Sequence, residues 1–121
     1  DVVVLGSDAL ELSIVIPAYN EGVRLPPYLA SVVDHLRDSG LRWEVLVVDD
    51  GSSDNTRDVV RGFAGSEPRV RLVCNATNLG KGGAVAHGVA EARGRYVLFA
   101  DADGATPAYE IDRLLLALRA G

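Results

Sequence analysis

The stretch WEVLVVDDGSSDNT, from Trp43 to Thr56, decides the fold of this chain. It begins with a largely apolar run over Trp43–Val48 that predicts a buried strand. Two aspartates, a glycine and two serines follow directly, which is typical of a turn after a strand. A helix is then predicted over Asp54–Ala64, with Asp54 as its N-cap. A buried strand, a turn and a helix form the repeating unit of a parallel sheet.

The same unit occurs three more times around this stretch. Short apolar runs predict the other strands, and helical spacing of apolar residues predicts the other helices. The strands are expected at Leu12–Pro17, Val70–Cys74 and Tyr96–Ala100, and the helices at Arg24–Asp38, Gly80–Arg93 and Ala108–Arg119. Together these elements predict an α/β fold with a mainly parallel sheet between two layers of helices.

The composition fits one folded domain, which we place at residues 1–121. The chain is 48% hydrophobic, with a mean hydropathy of +0.14. Its net charge of −5 argues against a nucleic-acid partner, because such partners are bound through Lys and Arg. No apolar run approaches the roughly 18 residues of a transmembrane helix. We therefore expect a cytoplasmic protein whose membrane contact, if any, is peripheral and at the cytoplasmic face. The single cysteine, Cys74, is expected to be buried at a strand end.

The candidate site consists of the residues that follow each predicted strand, because ligands of parallel α/β sheets bind beyond the carboxyl ends of the strands. Asp101 and Asp103 follow the last predicted strand. Two carboxylates on a turn can hold a divalent cation such as Mg²⁺ or Mn²⁺, which takes oxygen ligands and binds substrate phosphates as well. The alternative is an ordinary turn in which Asp103 and Thr106 cap the next helix.

Residues after the first two strands could bind a nucleotide. Asp49 or Asp50 could accept a hydrogen bond from a base or a ribose hydroxyl, or could simply end the strand before a turn. In the segment PAYNE, residues 17–21, Tyr19 offers a ring on which a base could stack and Glu21 offers an acceptor. The alternative for Tyr19 is packing beneath the following helix.

The glycine-rich segment NLGKGG, residues 78–83, could contact a phosphate. Glycines leave backbone N–H groups accessible at a helix start, where the helix dipole favours anions, and Lys81 adds a positive charge. The segment matches neither the nucleoside-triphosphate loop nor the dinucleotide fingerprint. Glycines that allow close helix packing are the alternative. His35 and His87 lie inside predicted helices, and no catalytic role is expected for either of them.

In combination these segments resemble the family 2 glycosyltransferases of the GT-A fold. PAYNE, VVDDGSSDNT, NLGKGGAVAHG and ADADGATP occur in the order of that family, over about Leu12 to Leu118. Within the family, the stretches RLP, GKGGA and DADGAT resemble the dolichyl-phosphate β-glucosyltransferases and other polyprenyl-phosphate glycosyltransferases. The related mannose synthases have DADLQHP at the last site. Ala105 stands where they have Gln, which excludes a side-chain metal ligand at that position.

The resemblance implies a Rossmann-like GT-A sandwich and an inverting transfer of a hexose, with glucose as the first choice. The donor would be a nucleotide-sugar such as UDP-glucose, and the acceptor a polyprenyl or dolichyl phosphate. Asp101 and Asp103 would coordinate Mg²⁺ or Mn²⁺ as a DXD motif. The residues expected to bind the donor are Pro17, Ala18, Tyr19, Glu21, Asp49, Asp50, Lys81 and Ala102. The alternatives are a non-catalytic nucleotide- or metal-binding module and a family 2 transferase with another sugar or a saccharide acceptor.

The catalytic domains of the family are longer than this chain. The resemblance therefore implies an N-terminal, donor-binding half, with the acceptor site, the general base and any membrane-association segment beyond Gly121. A phosphoacceptor signalling domain is a further alternative. It needs acidic clusters after the first and third strands, whereas here the clusters follow the second and fourth. Nothing in the sequence indicates an oligomeric state.

Overall fold

The computed structural model describes residues 2–4 and 10–121. Its strands are β1 (Val2–Val4), β2 (Leu10–Ala18), β3 (Trp43–Asp50), β4 (Val70–Asn75) and β5 (Gly94–Phe99). Its helices are α1 (Leu25–Arg37), α2 (Thr56–Ser66), α3 (Gly80–Glu91) and α4 (Glu110–Ala120). Every strand and helix predicted from the sequence is present. The short strand β1 was not predicted.

The described strands form one sheet in the order β1-β5-β2-β3-β4. The pairs β2–β5, β2–β3 and β3–β4 are parallel, whereas β1 pairs with β5 antiparallel. Ala18 is level with Asp49, and Asp50 is level with Asn75, so β2, β3 and β4 end at the same edge of the sheet. The mainly parallel α/β sheet is confirmed, with an antiparallel strand added at one side.

Both faces of the sheet are covered by helices. Alternate residues of β2 and β3, such as Ile14 and Val45, pack with α1, α2 and α4 into the larger core. The residues between them, such as Val15 and Leu46, pack against α3 on the other face. Strands that are apolar on both sides can be stable only between two layers of helices, which explains their continuous apolar runs.

Helix α3 lies unusually close to the sheet at Gly88. A Cβ atom at this position would lie 2.4 Å from Cγ1 of Val15 and 2.9 Å from Cγ2 of Val48. Any larger residue would push the helix away from the sheet, since these distances are shorter than van der Waals contact. Close packing through a small residue therefore occurs in this helix at Gly88, whereas a Cβ at Gly80 or Gly82, in the glycine-rich segment, would meet nothing within 4 Å.

Helices α2 and α4 each begin two residues later than predicted. Helix α2 has Asn55 at its N-cap position without a side-chain cap, so the prediction of Asp54 as N-cap is wrong. Asp54 lies two residues before the helix start and accepts a hydrogen bond from the backbone N–H of Thr56 at 2.9 Å. Helix α4 begins at Glu110 with Tyr109 at its N-cap position. Capping of this helix by Asp103 and Thr106 is therefore wrong as well.

The environment of Cys74 also differs from the expectation. Its side chain is exposed, because it lies on β4 at the edge of the described sheet. Over the residues that the structure describes, no helix has both the length and the apolar character needed to cross a membrane.

Candidate functional site

A cavity of about 280 Å³ opens at the carboxyl edge of the sheet, where the ends of β2, β3 and β5 meet the start of α3. The residues that line it are Pro17, Ala18, Tyr19, Asp50, Asn78, Gly80, Lys81, Ala84 and Asp101. The structure thus brings together donor-site residues predicted from four separate segments of the sequence. Asn78, Gly80 and Ala84 were not assigned as site residues, although the first two belong to the glycine-rich segment. Ala84 carries no polar signal and could be found only from its place on α3.

Four of the predicted site residues do not line this cavity. Glu21 forms a two-pronged ion pair with Arg24, one of whose contacts, from Nε to Oε2, is 2.7 Å long. Asp49 is fully buried, and the side chain of Ala102 is buried in the core. Asp103 lies two residues beyond Asp101, on the turn outside the cavity wall. Donor contacts by these residues remain predictions.

Asp50 lies at the end of β3 and is buried, with 3% of its surface exposed. Its Oδ1 atom accepts hydrogen bonds from Nδ2 of Asn75 and from the backbone N–H of Leu79, both at 2.9 Å. Among the described residues no hydrogen bond is made by its Oδ2 atom. Because Asp50 also lines the cavity, Oδ2 is an acceptor that a bound molecule could use.

Asp49 has a different role from that of its neighbour. Its Oδ2 atom accepts from Nε of Arg57 at 2.5 Å and from the N–H of Ser52 at 3.3 Å. The hydrogen bond and charge of Asp49 raise the pKa of the Arg57 guanidinium. Arg57 also donates to the carbonyl of Asn75 at 3.2 Å. Asp49 therefore ties α2 to the ends of β3 and β4, while its Oδ1 atom is buried without a partner in the described structure.

Two rim loops, residues 19–22 and 51–56, are hydrogen-bonded to each other beside the cavity. Asn20 has a positive φ of 53°, and its Oδ1 atom accepts from the N–H of Ser53 at 2.8 Å. The backbone N–H groups of residues 20, 21 and 22 donate to side chains of Ser52, Thr56 and Asp54, at 2.9, 3.0 and 3.0 Å. These bonds fix the loop that carries Tyr19.

The ring of Tyr19 remains accessible on this rim, with 49% of its surface exposed. The alternative of packing beneath α1 is therefore wrong. A half-exposed ring beside a cavity can stack against a flat ligand group, since its face is not covered by the protein.

Lys81 and Asp101 form an ion pair across the cavity, with Nζ 2.7 Å from Oδ1. The Nζ atom also lies 5.9 Å from the centre of the Phe99 ring. Lys81 is brought here by Gly80, whose φ of +81° turns the chain into α3. The close packing of this helix at Gly88 holds its first turn near the sheet. Asp101 thus already accepts a cationic group inside the cavity.

The loop that carries Asp101 and Asp103 rests on Tyr28 of α1. The Tyr28 hydroxyl donates to the carbonyl of Thr106 at 2.6 Å, and a Cβ at Gly104 would lie 3.4 Å from the ring. Burial, followed by the charges of Asp101 and Asp103, raises the pKa of Tyr28 to about 12. Tyr28 was not identified from the sequence, because it reads there only as one apolar position of a helix.

Asp101 and Asp103 fit a hard divalent cation such as Mg²⁺ or Mn²⁺. Asp101 faces the cavity with 43% of its side chain exposed, and one oxygen of Asp103 accepts from the N–H of Ala105 at 2.9 Å. In the described ranges no group of three or more His, Cys, Asp or Glu side chains could hold a metal ion. The remaining ligands would come from water and from phosphate oxygens, which is a common arrangement for Mg²⁺.

Comparison with known proteins finds relatives of similar sequence and solved structures of similar fold. The sequence model of Glycosyl transferase family 2 matches residues 13–121. The dolichyl-phosphate beta-glucosyltransferase of Drosophila melanogaster is 46% identical, over 93% of this chain and 37% of the relative. The chain spans about a third of the length of the curated relatives it matches.

Two solved structures share the fold. The mannosyltransferase PcManGT from Pyrobaculum calidifontis, in complex with GDP-Man and Mn²⁺, has a TM-score of 0.72 and 28% identity. The match covers 98% of this chain and 34% of that protein. S. aureus TarS 1-349 in complex with UDP has a TM-score of 0.63 and 28% identity, over 78% of this chain and 28% of that one.

Proposed function

The chain belongs to glycosyltransferase family 2 and has its GT-A fold, and on that premise we propose that its carboxyl-edge cavity binds a nucleotide-sugar. In this proposal the whole protein is an inverting transferase that moves a hexose from a nucleotide-sugar to a dolichyl or other polyprenyl phosphate. Glucose, donated by UDP-glucose, is the first choice of hexose. The observation that carries the proposal is the convergence of Tyr19, Asp50, Lys81 and Asp101 on one cavity.

Each side chain has a role that follows from its chemistry. The base stacks on Tyr19 and lies along Pro17 and Ala18, while Oδ2 of Asp50 accepts from the base or from a ribose hydroxyl. Lys81, at the start of α3, faces the diphosphate together with the N-terminal end of the helix. Supporting this, Nζ of Lys81 lies 2.7 Å from Oδ1 of Asp101, so a phosphate bound by Lys81 would lie beside the carboxylate proposed to hold the metal.

Asp101 and Asp103 would hold the divalent metal. When bound, the metal acts as a Lewis acid that stabilises the negative charge of the departing nucleoside diphosphate. The Mn²⁺ and GDP-Man bound to the structural relative support divalent metal use of this kind.

In the transfer, an oxygen of the acceptor phosphate attacks the anomeric carbon opposite the diphosphate. The new C–O bond forms as the bond to the diphosphate oxygen breaks, which inverts the configuration. A phosphate acceptor is already anionic, so it depends less on a general base than a hydroxyl would. We assign no base among the described residues. We propose that the acceptor site and any base belong to the two thirds of the relatives' length that this chain does not span.

The proposed lipid-linked acceptor brings the protein to a membrane surface, and we propose peripheral contact at the cytoplasmic face. The support is the name of the relatives, which act on dolichyl phosphate. Domain limits at residues 1 and 121, with a C-terminal continuation, remain part of this proposal.

Calorimetry on the full-length protein tests donor binding. UDP-glucose, UDP and GDP-mannose are titrated with Mn²⁺, with Mg²⁺ and with EDTA. We expect metal-dependent binding that is tighter for UDP-glucose than for GDP-mannose. Tighter binding of GDP-mannose would mean that the donor carries a sugar other than glucose. If no nucleotide gave metal-dependent heat, the proposal would be refuted.

A transfer assay separates an enzyme from a binding module. Radiolabelled UDP-glucose is incubated with full-length protein, Mn²⁺ and dolichyl phosphate in detergent, and the lipid phase is counted. Label in the lipid phase supports the proposed reaction. Donor binding without transfer to a lipid phosphate or to a saccharide would instead identify a non-catalytic nucleotide-binding module.

A further inference from the structure

Three side chains connect helix α3 to the wall of the cavity. Nδ1 of His87 lies 2.5 Å from Oδ1 of Asn75, and Nδ2 of Asn75 donates to Oδ1 of Asp50 at 2.9 Å. Asn75 and Asp50 are only 5% and 3% exposed. Hydrogen bonds between such buried groups are strong, and they are costly to break, because water cannot replace the lost partner.

Asp50 determines the donor and the acceptor of each hydrogen bond in this three-residue network. An ionised carboxylate can only accept, so Asn75 must turn its amide nitrogen toward Asp50. Its amide oxygen then faces His87 and requires a donor. His87 must therefore carry a proton on Nδ1, which in the neutral ring leaves Nε2 without one.

The network also fixes the first turn of α3. The Oδ1 atom of Asp50 that accepts from Asn75 also accepts from the N–H of Leu79, the residue before Gly80. His87 lies two turns further along the same helix. The helix is thus attached to Asp50 near its start and again through His87, and Lys81 lies between the two attachments.

We infer that His87 and Asn75 are positioning residues for the donor site. They hold the Asp50 carboxylate with Oδ2 toward the cavity and keep Lys81 at its place across from Asp101. This inference rests on the proposed function, because the groups they position are those assigned to the nucleotide and the diphosphate. Neither residue lines the cavity, so they act only through Asp50 and α3.

The first test reads the histidine tautomer by NMR, on full-length protein with ¹⁵N-labelled histidine at a pH of about 8.5, above the ordinary histidine pKa. His87 should show a proton on Nδ1. His35 is an internal control, because its Nε2 atom lies 3.0 Å from the Asp112 carboxylate and should carry the proton there. The Asn75→Ala variant should abolish the preference of His87. A proton on Nε2 of His87 in the wild type would overturn the network.

The second test measures donor binding in variants of full-length protein. His87→Ala should weaken binding of UDP with Mn²⁺ by about three- to tenfold, the range expected for loss of one buried hydrogen bond. The donor KM should rise by a similar factor while kcat changes little. His87→Gln should restore part of the affinity, because its amide can donate to Asn75. His35→Ala is the matched control and should bind UDP like the wild type.

The outcomes separate the inference from the proposed function. If wild-type protein binds UDP and His87→Ala binds it equally well, the positioning role is refuted and the proposed function stands. If wild-type protein binds neither UDP nor a guanosine nucleotide with metal, both are refuted, whatever the tautomer. Urea unfolding of each variant identifies any loss of affinity that comes only from an unfolded fraction. If His87→Ala and His87→Gln were equally stable and lost UDP affinity equally, this result would also count against the inference.

Discussion

The two ends of strand β3 carry buried acids with opposite uses. At the amino end, both oxygens of Glu44 are occupied: Oε1 by the Arg71 guanidinium at 2.9 and 3.1 Å, and Oε2 by Ser13 Oγ and the N–H of Arg93, each at 2.7 Å. At the carboxyl end, Asp50 uses Oδ1 for two hydrogen bonds and keeps Oδ2 at a cavity. Glu44 and Asp50 are equally buried, at 3% exposed. Burial alone therefore does not distinguish a structural carboxylate from a candidate binding group. The difference lies in whether both carboxylate oxygens already have hydrogen-bond partners within the protein.

The surroundings of the two ends differ in the same way. Near Glu44, the Arg69 guanidinium lies 4.2 Å from the centre of the Trp43 ring and is paired with Glu67 at 2.7 Å. The charged groups there neutralise one another within the protein. Near Asp50, the Lys81–Asp101 pair is about half exposed and open to exchange with a ligand. The amino end thus contributes to the stability of the fold, and the carboxyl end carries the candidate site.

The largest effect should come from Glu44→Ala. This change leaves Arg71 without its carboxylate partner and removes the acceptor of two further donors. Breaking such a buried ion pair costs about 3–5 kcal/mol of unfolding free energy. Urea unfolding measures this loss. The affinity of the folded protein for UDP with Mn²⁺ should be unchanged, since Glu44 lies at the opposite end of the strand.

Asp58→Ala is the control for that experiment. Asp58 pairs with Arg61, but its side chain is 81% exposed. Its loss should change the unfolding free energy by no more than about 0.5 kcal/mol. If Glu44→Ala changed the unfolding free energy as little as this control, the stabilising role given to the amino end of β3 would be wrong.

The next largest effect should come from Asp103→Ala at the carboxyl end. Loss of one of two carboxylate ligands should weaken Mn²⁺-dependent binding of UDP by roughly a hundredfold or more, because even supporting residues of metal sites contribute tenfold to a hundredfold. The cost in stability should stay near 1 kcal/mol, that of the single bond to the N–H of Ala105. Calorimetry and urea unfolding measure the two quantities. Unchanged metal-dependent affinity would remove Asp103 from the metal site.

Asp50→Asn should have a smaller effect on binding. The amide oxygen of the variant can still accept from Asn75 and Leu79, so the fold should be retained. Its amide nitrogen replaces the acceptor at the cavity by a donor, which should weaken UDP binding by roughly tenfold, as expected for loss of a bond to a charged group. A variant with full affinity would show that Oδ2 does not contact the nucleotide.

The smallest effect should lie at the amino end and should disappear in acid. Arg69, and then Arg37, hold the pKa of Glu67 at about 2, below its ordinary value of 4.5. Because the folded pKa is the lower one, the stabilisation is complete above pH 4.5 and disappears as the pH falls toward 2. The urea midpoints of wild type and Glu67→Gln should therefore differ at pH 7, differ less at pH 3, and converge near pH 2. A difference that stayed constant over this pH range would contradict this account.

The fold was predictable because its signals are local. The apolar runs of β2 and β3 and the spacing of α1 depend on neighbouring residues only, and these elements were placed within one or two residues of their observed ends. The strand β1 was missed, since Val2–Val4 is too short to give a pattern. The cavity residues after each strand followed from a rule about where parallel sheets bind ligands.

The missed features depend on contacts between residues far apart in sequence. The Tyr28 hydroxyl supports a carbonyl 78 positions away, and nothing in the helix pattern marks that contact. His87 and Asn75 are 12 positions apart and belong to different elements.

The partners of Glu21 and Asp49, Arg24 and Arg57, are only three and eight positions away in sequence. These pairs were missed because the sequence pattern does not show which side chains face each other around the turns. A sequence pattern gives the residue type at a strand end but not which other side chain already occupies it.

The hydrogen bonds between the rim loops have a consequence for the order of folding. Each bond between residues 20–22 and the loop after β3 joins positions at least 32 apart in the sequence. Such contacts form late, because the intervening chain must first be ordered. A refolding chain should therefore regain helical circular dichroism before it regains affinity for a nucleotide. The return of ligand affinity would then report the last step of folding, and partly folded protein would be unable to bind the donor.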